Sequence, residues 1–452
     1  MGPLFSRRLF VSASASAAAL GPIPFTKSFA GEMSMTEIKA LAKDAVIWGS
    51  PLVFMGRMLD MAIKAGRSTN KIYLNFNVAS PEMGLPAPNV DVLYGIACVD
   101  LADGPQVIAV PATHDRYFSI QMNDVYQNTF GYIGKRTTGT SAGAFAITPP
   151  SWKGKLPDGV AQISATTTQF IAFFRTHIQS REDLAAARGV HASYQMGSLA
   201  DWPTGLRDGE AKDKAIICPT PDFSKEGAAF FEKLAVLAKK FPPLPGDMPH
   251  LARFAPLGLG SRTVRPSSLD PILAEAVIEA HALIAERFQN DTIETNGWRT
   301  RYVPAFFQDP PTRAGAGYLG PGTNVAEEAL YFYAFTGADG QRLNARNKNY
   351  RIHFHADKAP PVFAFWSLTL QDRNYFLFPN PLERYMLSSS AGLRTRSDGS
   401  LDLAIQADPP ADPDVNWLPA PRDEFSVALR MYLPRPEVLD RSYQLPPIQI
   451  VS

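Results

Sequence analysis

Between Val92 and His177 the chain is cut into short apolar or alternating runs by turn residues, and none of these runs reaches helix length. Val92 to Leu101, Gln106 to Val110, Tyr117 to Asn123 and Gln127 to Gly131 each read as a strand. Asp103-Gly104-Pro105 forms a turn between two of them. Phe145 to Thr148, Gln162 to Ala165 and Phe170 to His177 continue the pattern, and Arg181 to Gly189 begins a short helix. A chain cut this way has to bury alternate faces of sheets. The 39 prolines and 32 glycines among 452 residues agree with many short strands joined by turns.

The texture then becomes helical. Ser224 is placed to cap a helix running through Phe230, Leu234, Leu237 and Phe241, which Pro242-Pro243 ends. Ile272, Leu273, Ala276, Ile278, Ala280, Leu283 and Ile284 keep a helical period from about Asp270 to Gln289. From Ala329 the strand pattern returns: Tyr331 to Phe335, Tyr350 to His355, Val362 to Gln371, Leu401 to Gln406 and Phe425 to Leu433. Asp339-Gly340 and Asp398-Gly399 are hairpin signals there. Upstream of the first strands, Ser34-Met-Thr-Glu37 is a capping box. It opens a helix through Trp48 that continues past Pro51 to about Ala65.

The length exceeds what one core usually serves. The expected fold is α+β and mostly β: two β-sandwich or jelly-roll-like modules with a helical middle segment. The expected units are a signal at 1–30, a helix plus β-rich module at 31–200, the helical middle at 201–325 and a β-sandwich at 326–452.

The first thirty residues read as an address. Ser6-Arg7-Arg8-Leu9-Phe10 precedes a weakly apolar Ala/Ser/Leu stretch, and Ser28-Phe29-Ala30 is a small-x-small cleavage site. The paired arginines resemble the twin-arginine signal. That implies export of a folded protein by the twin-arginine machinery, cleavage after Ala30 and a periplasmic or secreted product with no membrane span. A formal net charge of +1 with dispersed basic residues argues against a nucleic-acid partner. Oligomeric state stays open, as does a Cys98–Cys218 disulfide.

Several strings occur in a telling order. Pro88-Asn89-Val90-Asp91-Val92-Leu93-Tyr94, Val99-Asp100-Leu101, Asp115-Arg116-Tyr117-Phe118 and Arg136-Thr137-Thr138-Gly139-Thr140 together resemble the bacterial family called domain of unknown function 1254. Phe365-Trp366-Ser367-Leu368-Thr369-Leu370, Asn380-Pro381-Leu382-Glu383-Arg384-Tyr385, Asn416-Trp417-Leu418-Pro419 and Leu429-Arg430-Met431-Tyr432 resemble its usual C-terminal companion, domain of unknown function 1214. Gln371 departs from the pattern, which more often has Tyr before the Asp. The resemblance implies sandwich modules with helices between and around them, and no established activity.

Asn89-x-Asp91-x-x-Tyr94 is the cluster most suggestive of chemistry. On a strand, Asn89 and Asp91 point the same way. They suit a general base with its positioning partners, or oxygen ligands for a divalent cation; a turn with an anchoring aspartate is the structural alternative. Asp124 is a candidate second carboxylate. His353 and His355, on one strand face, are candidate metal ligands beside Asp91. A divalent metal ion is the one cofactor these residues suggest. Arg136 is a candidate contact for an anionic substrate. Trp366, Arg384, Tyr385 and Trp417 are candidates for a substrate platform, with core packing as the alternative. The chain has no G-x-S-x-G, H-E-x-x-H, Walker or G-x-G-x-x-G pattern in a suitable context. The sequence therefore points to a hydrolase- or lyase-like enzyme acting on a small or envelope-derived molecule where the modules meet. The alternative is a non-catalytic ligand-binding or envelope-assembly protein.

Overall fold

A computed structural model describes residues 33–212, 222–260, 265–317, 322–412 and 415–451. The signal, the Cys98–Cys218 pairing and part of the glycine-rich 315–320 segment lie outside the described residues.

The capping box forms as written. Ser34 Oγ accepts from the Glu37 amide at 3.3 Å, and Glu37 Oε2 accepts from the Ser34 amide at 2.7 Å. The helix it opens, Met35–Lys64, contains Pro51 and runs through it. By length and composition this helix is apolar enough to cross a membrane, and 72% of its most apolar window is buried inside the protein. Trp48, Leu52, Met55 and their neighbours pack against helices Ala229–Lys240 and Asp270–Asn290 in one core. Gly49 lets the helices approach, since a Cβ there would stand 2.4 Å from Leu234 Cδ2. Ser224 does not cap the helix at 229: its hydroxyl donates to Asp222 at 2.6 Å, and the helix starts with no side-chain cap.

The N-terminal module is a sandwich. Its six-stranded sheet runs, from edge to edge, Glu210–Ala211, Tyr73–Asn75, Val92–Asp100, Gln169–His177, Phe118–Asp124 and Thr129–Gly134. The facing five-stranded sheet runs Arg207–Asp208, Gln195–Ser198, Gln106–Val110, Gly143–Thr148 and Val160–Ser164. Period-two alternation sends Ala97, Val99, Phe118, Ile120, Phe170 and Phe174 inward onto Ile108, Ile147 and Met196. Each large side chain buried there stabilises the sandwich by roughly 1.5–3 kcal/mol.

The C-terminal module repeats the plan. A six-stranded sheet of Ile293–Thr295, Trp298–Thr300, Ala329–Ala334, Phe425–Pro434, Val362–Asp372 and Met386–Ser388 faces four strands, Asn416–Pro419, Leu401–Gln406, Asn349–Phe354 and Gln449–Val451. Leu330, Leu429, Met431, Leu368 and Trp366 fill the core between them. The fold is α+β and mostly β. Two unit boundaries move: the hairpin from Ile293 pairs with the C-terminal sheet, and helix Met35–Lys64 packs with the helical middle.

The outer face of the N-terminal six-stranded sheet carries Tyr94, Ile96 and Cys98 on one strand and Ile171, Phe173, Arg175 and His177 on the next. At the Cys98 and Ile171 end the helical core covers it. At the other end it meets the outer face of the C-terminal six-stranded sheet, where Tyr117, Val92, Phe365 and Tyr432 pack together. The His177 ring stacks on Phe365 at 3.6 Å, and its Nε2 shares a hydrogen bond with Ser390 Oγ at 3.1 Å.

Candidate active site at the module junction

Asp91 immediately precedes the strand that opens this interface. Its backbone is fixed at both ends: the amide donates to Asn89 Oδ1 at 3.0 Å, and the carbonyl accepts from Ile178 at 2.8 Å. Asn89 Nδ2 in turn donates to the Tyr432 hydroxyl of the other module. Arg430 holds the preceding loop, donating to the carbonyls of Ala87 and Pro88 at 3.1 Å each and to Thr369 Oγ1 at 2.8 Å. The segment carrying Asp91 is thus tied down by the C-terminal sheet.

The Asp91 carboxylate itself is fully buried, yet neither oxygen accepts a hydrogen bond among the described residues. Ser367 Oγ is orphaned in the same way. The Ser367 hydroxyl and the Asn89 side chain are near enough to favour the ionised carboxylate without being aligned as hydrogen bonds. Burial raises the Asp91 pKa, and the Arg430 guanidinium opposes that shift in part.

Tyr94 lies one turn of the pleat further along and is paired in register with Arg175. Arg175 sits over its ring at 6.0 Å. Protein surrounds Tyr94 closely enough that desolvation pushes its phenol up to about 12. Even so, 38% of its surface is accessible. A ring so densely surrounded and still that accessible lies in a recess of the surface, a hollow beside the junction. Tyr331 and Tyr333 of the C-terminal sheet are partly accessible beside it.

The rest of the cluster is held by bonds that cross between modules. Arg175 donates to Gln121 Oε1 at 3.1 Å and to the Gly322 carbonyl. Glu328, 1% exposed, accepts from Tyr117 Oη at 2.8 Å and from Arg136 Nε at 2.6 Å. Burial raises the Glu328 pKa, with Arg136 opposing. Asn324 Oδ1 accepts from Tyr132 Oη at 3.2 Å, and Asn324 Nδ2 donates to Tyr331 Oη at 2.9 Å.

Four of the residues singled out from the sequence, Asn89, Asp91, Tyr94 and Arg136, are thus brought to the junction. Asp124 is not. It stands opposite Phe170 on the strand whose His177 stands opposite Val92, so at about 3.3 Å per residue it lies roughly 25 Å from Asp91. Its carboxylate is satisfied by the Tyr126 and Asn128 amides at 2.9 Å each, by the Asn128 side chain and by Thr166 Oγ1 at 2.8 Å. Asp124 anchors a turn, and the carboxylate pair does not form.

The metal set does not assemble either. His353 Nδ1 is bonded to Asp402 at 2.7 Å, and the His355 ring lies edge-on to His353 at 4.7 Å, on the four-stranded sheet away from the junction. Among the described residues no three His, Cys, Asp or Glu side chains gather as a metal site. Trp366 is core, because its side chain points to the opposite face from Ser367. Arg384 is exposed and staples the Trp417 carbonyl at 3.1 Å, the Trp417 indole donates to Gln406 O, and Tyr385 belongs to that loop. None of these four reaches the hollow.

Residues 69–198 match the family described as Protein of unknown function (DUF1254), and residues 328–436 match that described as Protein of unknown function (DUF1214). The chain belongs to this two-module family. In the DUF1254–DUF1214 arrangement both regions contribute to the candidate site: Asn89, Asp91, Tyr94, Arg136 and Arg175 from the first, Glu328, Ser367 and Arg430 from the second. The chain is similar to the crystal structure of the VPA0106 protein from Vibrio parahaemolyticus. The two are 20% identical with a TM-score of 0.72, over 92% of this chain and 100% of that one. This likeness shows the fold. An uncharacterized protein from Burkholderia cenocepacia matches at 12% identity and a TM-score of 0.44, over 92% and 95% of the two chains. No curated protein matches the chain.

Arg175, Arg430, Ser367 and Glu328 were missed in the sequence as site residues. The two arginines did leave a signal: each interrupts an otherwise apolar strand, Phe173-Phe174-Arg175 and Leu429-Arg430-Met431. A guanidinium at a buried strand position needs a reason to be there.

Proposed function

We propose that the protein is an enzyme acting on a small organic molecule in the junction hollow, with Asp91 as the group that accepts and returns a proton. The observation that carries this reading is the contrast between two buried aspartates. Asp124 has every acceptor position used, as a structural carboxylate should. Asp91 has neither oxygen in a well-formed hydrogen bond, with only Ser367, the Asn89 side chain and its own backbone close enough to favour its ionised form, and a buried carboxylate so weakly satisfied is costly unless it serves a ligand or a reaction. Burial raises its pKa above the ordinary carboxylate value, which favours its taking up a proton. Asn89 and Arg430 position it. Ser367 beside it is a hydroxyl with a free acceptor and donor, suited to a hydrolytic or eliminative step. A site built by both modules also accounts for why the two travel together in one chain.

The test is a turnover screen of ester, amide and β-eliminable substrates with the wild type and Asp91→Asn. The reading expects turnover of at least one class, reduced about 10²–10⁴-fold in the variant. Turnover indifferent to Asp91→Asn would sink it. Binding without turnover in either protein would select the rival reading, a ligand-binding or envelope-assembly protein. That rival is favoured by the phenol-lined hollow, which binds equally well without chemistry. We further propose that residues 1–30 direct twin-arginine export and that the mature protein works in the periplasm or outside the cell. The support is Arg7-Arg8 and the Ser28-Phe29-Ala30 cleavage pattern.

A further inference from the structure

Two guanidiniums buried at the junction have no carboxylate in direct ion-pair contact among the described residues, although Asp91 and Glu328 act on them from further off. Arg175 and Arg430 are 6% and 2% exposed. Arg175 bonds to a side-chain amide and a backbone carbonyl, and Arg430 to a hydroxyl and two backbone carbonyls. Among the described residues neither lies within ion-pair distance of an Asp or Glu. Two other buried arginines are paired: Arg313, 3% exposed, lies 2.6 Å from Asp247, and Arg116 holds Asp183 through both terminal nitrogens. A buried guanidinium held only by neutral acceptors keeps much of its desolvation cost. Two such groups converging on one accessible phenol is therefore an unusual expense, which a bound anion would offset.

The charges facing the hollow can be counted. Arg136, Arg175 and Arg430 stand against Glu328 and Asp91, three cations to two anions even with both acids ionised. Nearby charges close among themselves: Arg116 with Asp183, Lys135 with Asp115, and Arg301 with Asp291. The local surplus is one positive charge. Arg175 gives one hydrogen from each terminal nitrogen and Arg430 gives both from Nη2 and one from Nη1, so each keeps its Nε–H and at least one further N–H, enough for single hydrogen bonds from both to a carboxylate. Tyr94, with its accessible ring, and Tyr331 offer flat walls for an unsaturated or aromatic body.

We propose that the junction hollow binds a small organic monocarboxylate, its head group held by Arg175 and Arg430 and its body lying against Tyr94. This rests on the reading of the hollow as the functional site, and it deepens that reading by naming the ligand class.

The experiment is thermal and calorimetric titration of the mature protein with acetate, acrylate, benzoate and phenylacetate, each against its own neutral amide, with inorganic phosphate as a further anion. The expected result is stabilisation by at least one carboxylate and none by its amide. Arg175→Gln should lower that affinity at least tenfold, whereas Asp124→Asn, away from the junction, should leave it unchanged in the folded protein. If acids and amides behave alike, or phosphate alone binds, the inference is overturned, and this comparison stands even if Arg175→Gln does not fold. Failure here combined with Asp91-dependent turnover of neutral substrates would overturn the ligand class and spare the site. Carboxylate binding with no turnover would spare the ligand class and overturn the enzyme.

Discussion

Asp91 of the N-terminal module and Ser367 of the C-terminal sheet lie side by side across the junction, both fully buried, and neither side chain makes a well-aligned hydrogen bond among the described residues. Around them nearly every other polar group is bonded across the same boundary: Asn89 to Tyr432, Arg430 to the 87–88 backbone, Tyr117 to Glu328. Orphans inside an otherwise satisfied network mark the place where the protein has kept bonding capacity in reserve.

Asp124 supplies the contrasting case. Asp124→Asn replaces one acceptor oxygen with a donor amide against the Tyr126 and Asn128 amides or Thr166 Oγ1. Chemical denaturation should show a loss of about 3 kcal/mol, and turnover or ligand affinity per folded molecule should not change. A variant as stable as the wild type would mean that the turn does not depend on this carboxylate.

His177 gives a pH prediction. Burial, with Arg116 nearby, lowers its pKa from 6.5 to about 3, against an opposing pull from Asp183. The folded protein therefore keeps it neutral where the unfolded chain protonates it. The stability it confers is full above pH 6.5 and is lost as pH falls toward 3, by up to roughly 1.4 kcal/mol per unit. His177→Gln should flatten the acid limb of a stability–pH profile, and an unchanged limb would show that His177 does not control it.

Gly322 has φ +78, and a Cβ there would stand 2.8 Å from Phe173 Cγ, while its carbonyl receives Arg175. Gly322→Ala should cost about 1 kcal/mol or more and weaken carboxylate binding by displacing the Arg175 acceptor. Calorimetry on the folded variant reads the second effect, and affinity equal to the wild type would remove Gly322 from the site.

Export is tested by fractionation. Replacing Arg7 and Arg8 with Lys should leave uncleaved protein in the cytoplasm. Equal amounts of processed protein outside the cytoplasm would rule out the twin-arginine route.

The architecture was legible wherever local chemistry decided it. The Ser34–Glu37 box predicted the first helix, and alternation predicted strands Gln106–Val110 and Leu401–Gln406 to the residue. The hairpin at 293–300 was passed over although Asn296-Gly297, with φ +53 and +81, carries a turn signal. The site was half legible. Asn89, Asp91 and Tyr94 stand out because they crowd together in sequence. Arg175, Ser367 and Arg430 come from strands far apart in the chain, and only the pairing of the two outer sheet faces brings them to Asp91. The sequence could not separate Asp91 from Asp124, because both precede or end strands and both are buried. What differs is whether neighbouring donors turn toward the carboxylate, which is a tertiary outcome.

The most direct test of the central claim is the unfolding free energy of Asp91→Asn against the wild type in urea at pH 7. The folded-state pKa of Asp91 is raised above its ordinary 3.8, so the folded state binds its proton more tightly. The stability tied to that proton is lost as pH rises through the folded value. The account predicts a variant within about 1 kcal/mol of the wild type, or more stable, with its relative stability improving from pH 4 to pH 7 and its turnover lost. A variant destabilised by about 3 kcal/mol or more would make Asp91 a structural anchor like Asp124 and contradict the account.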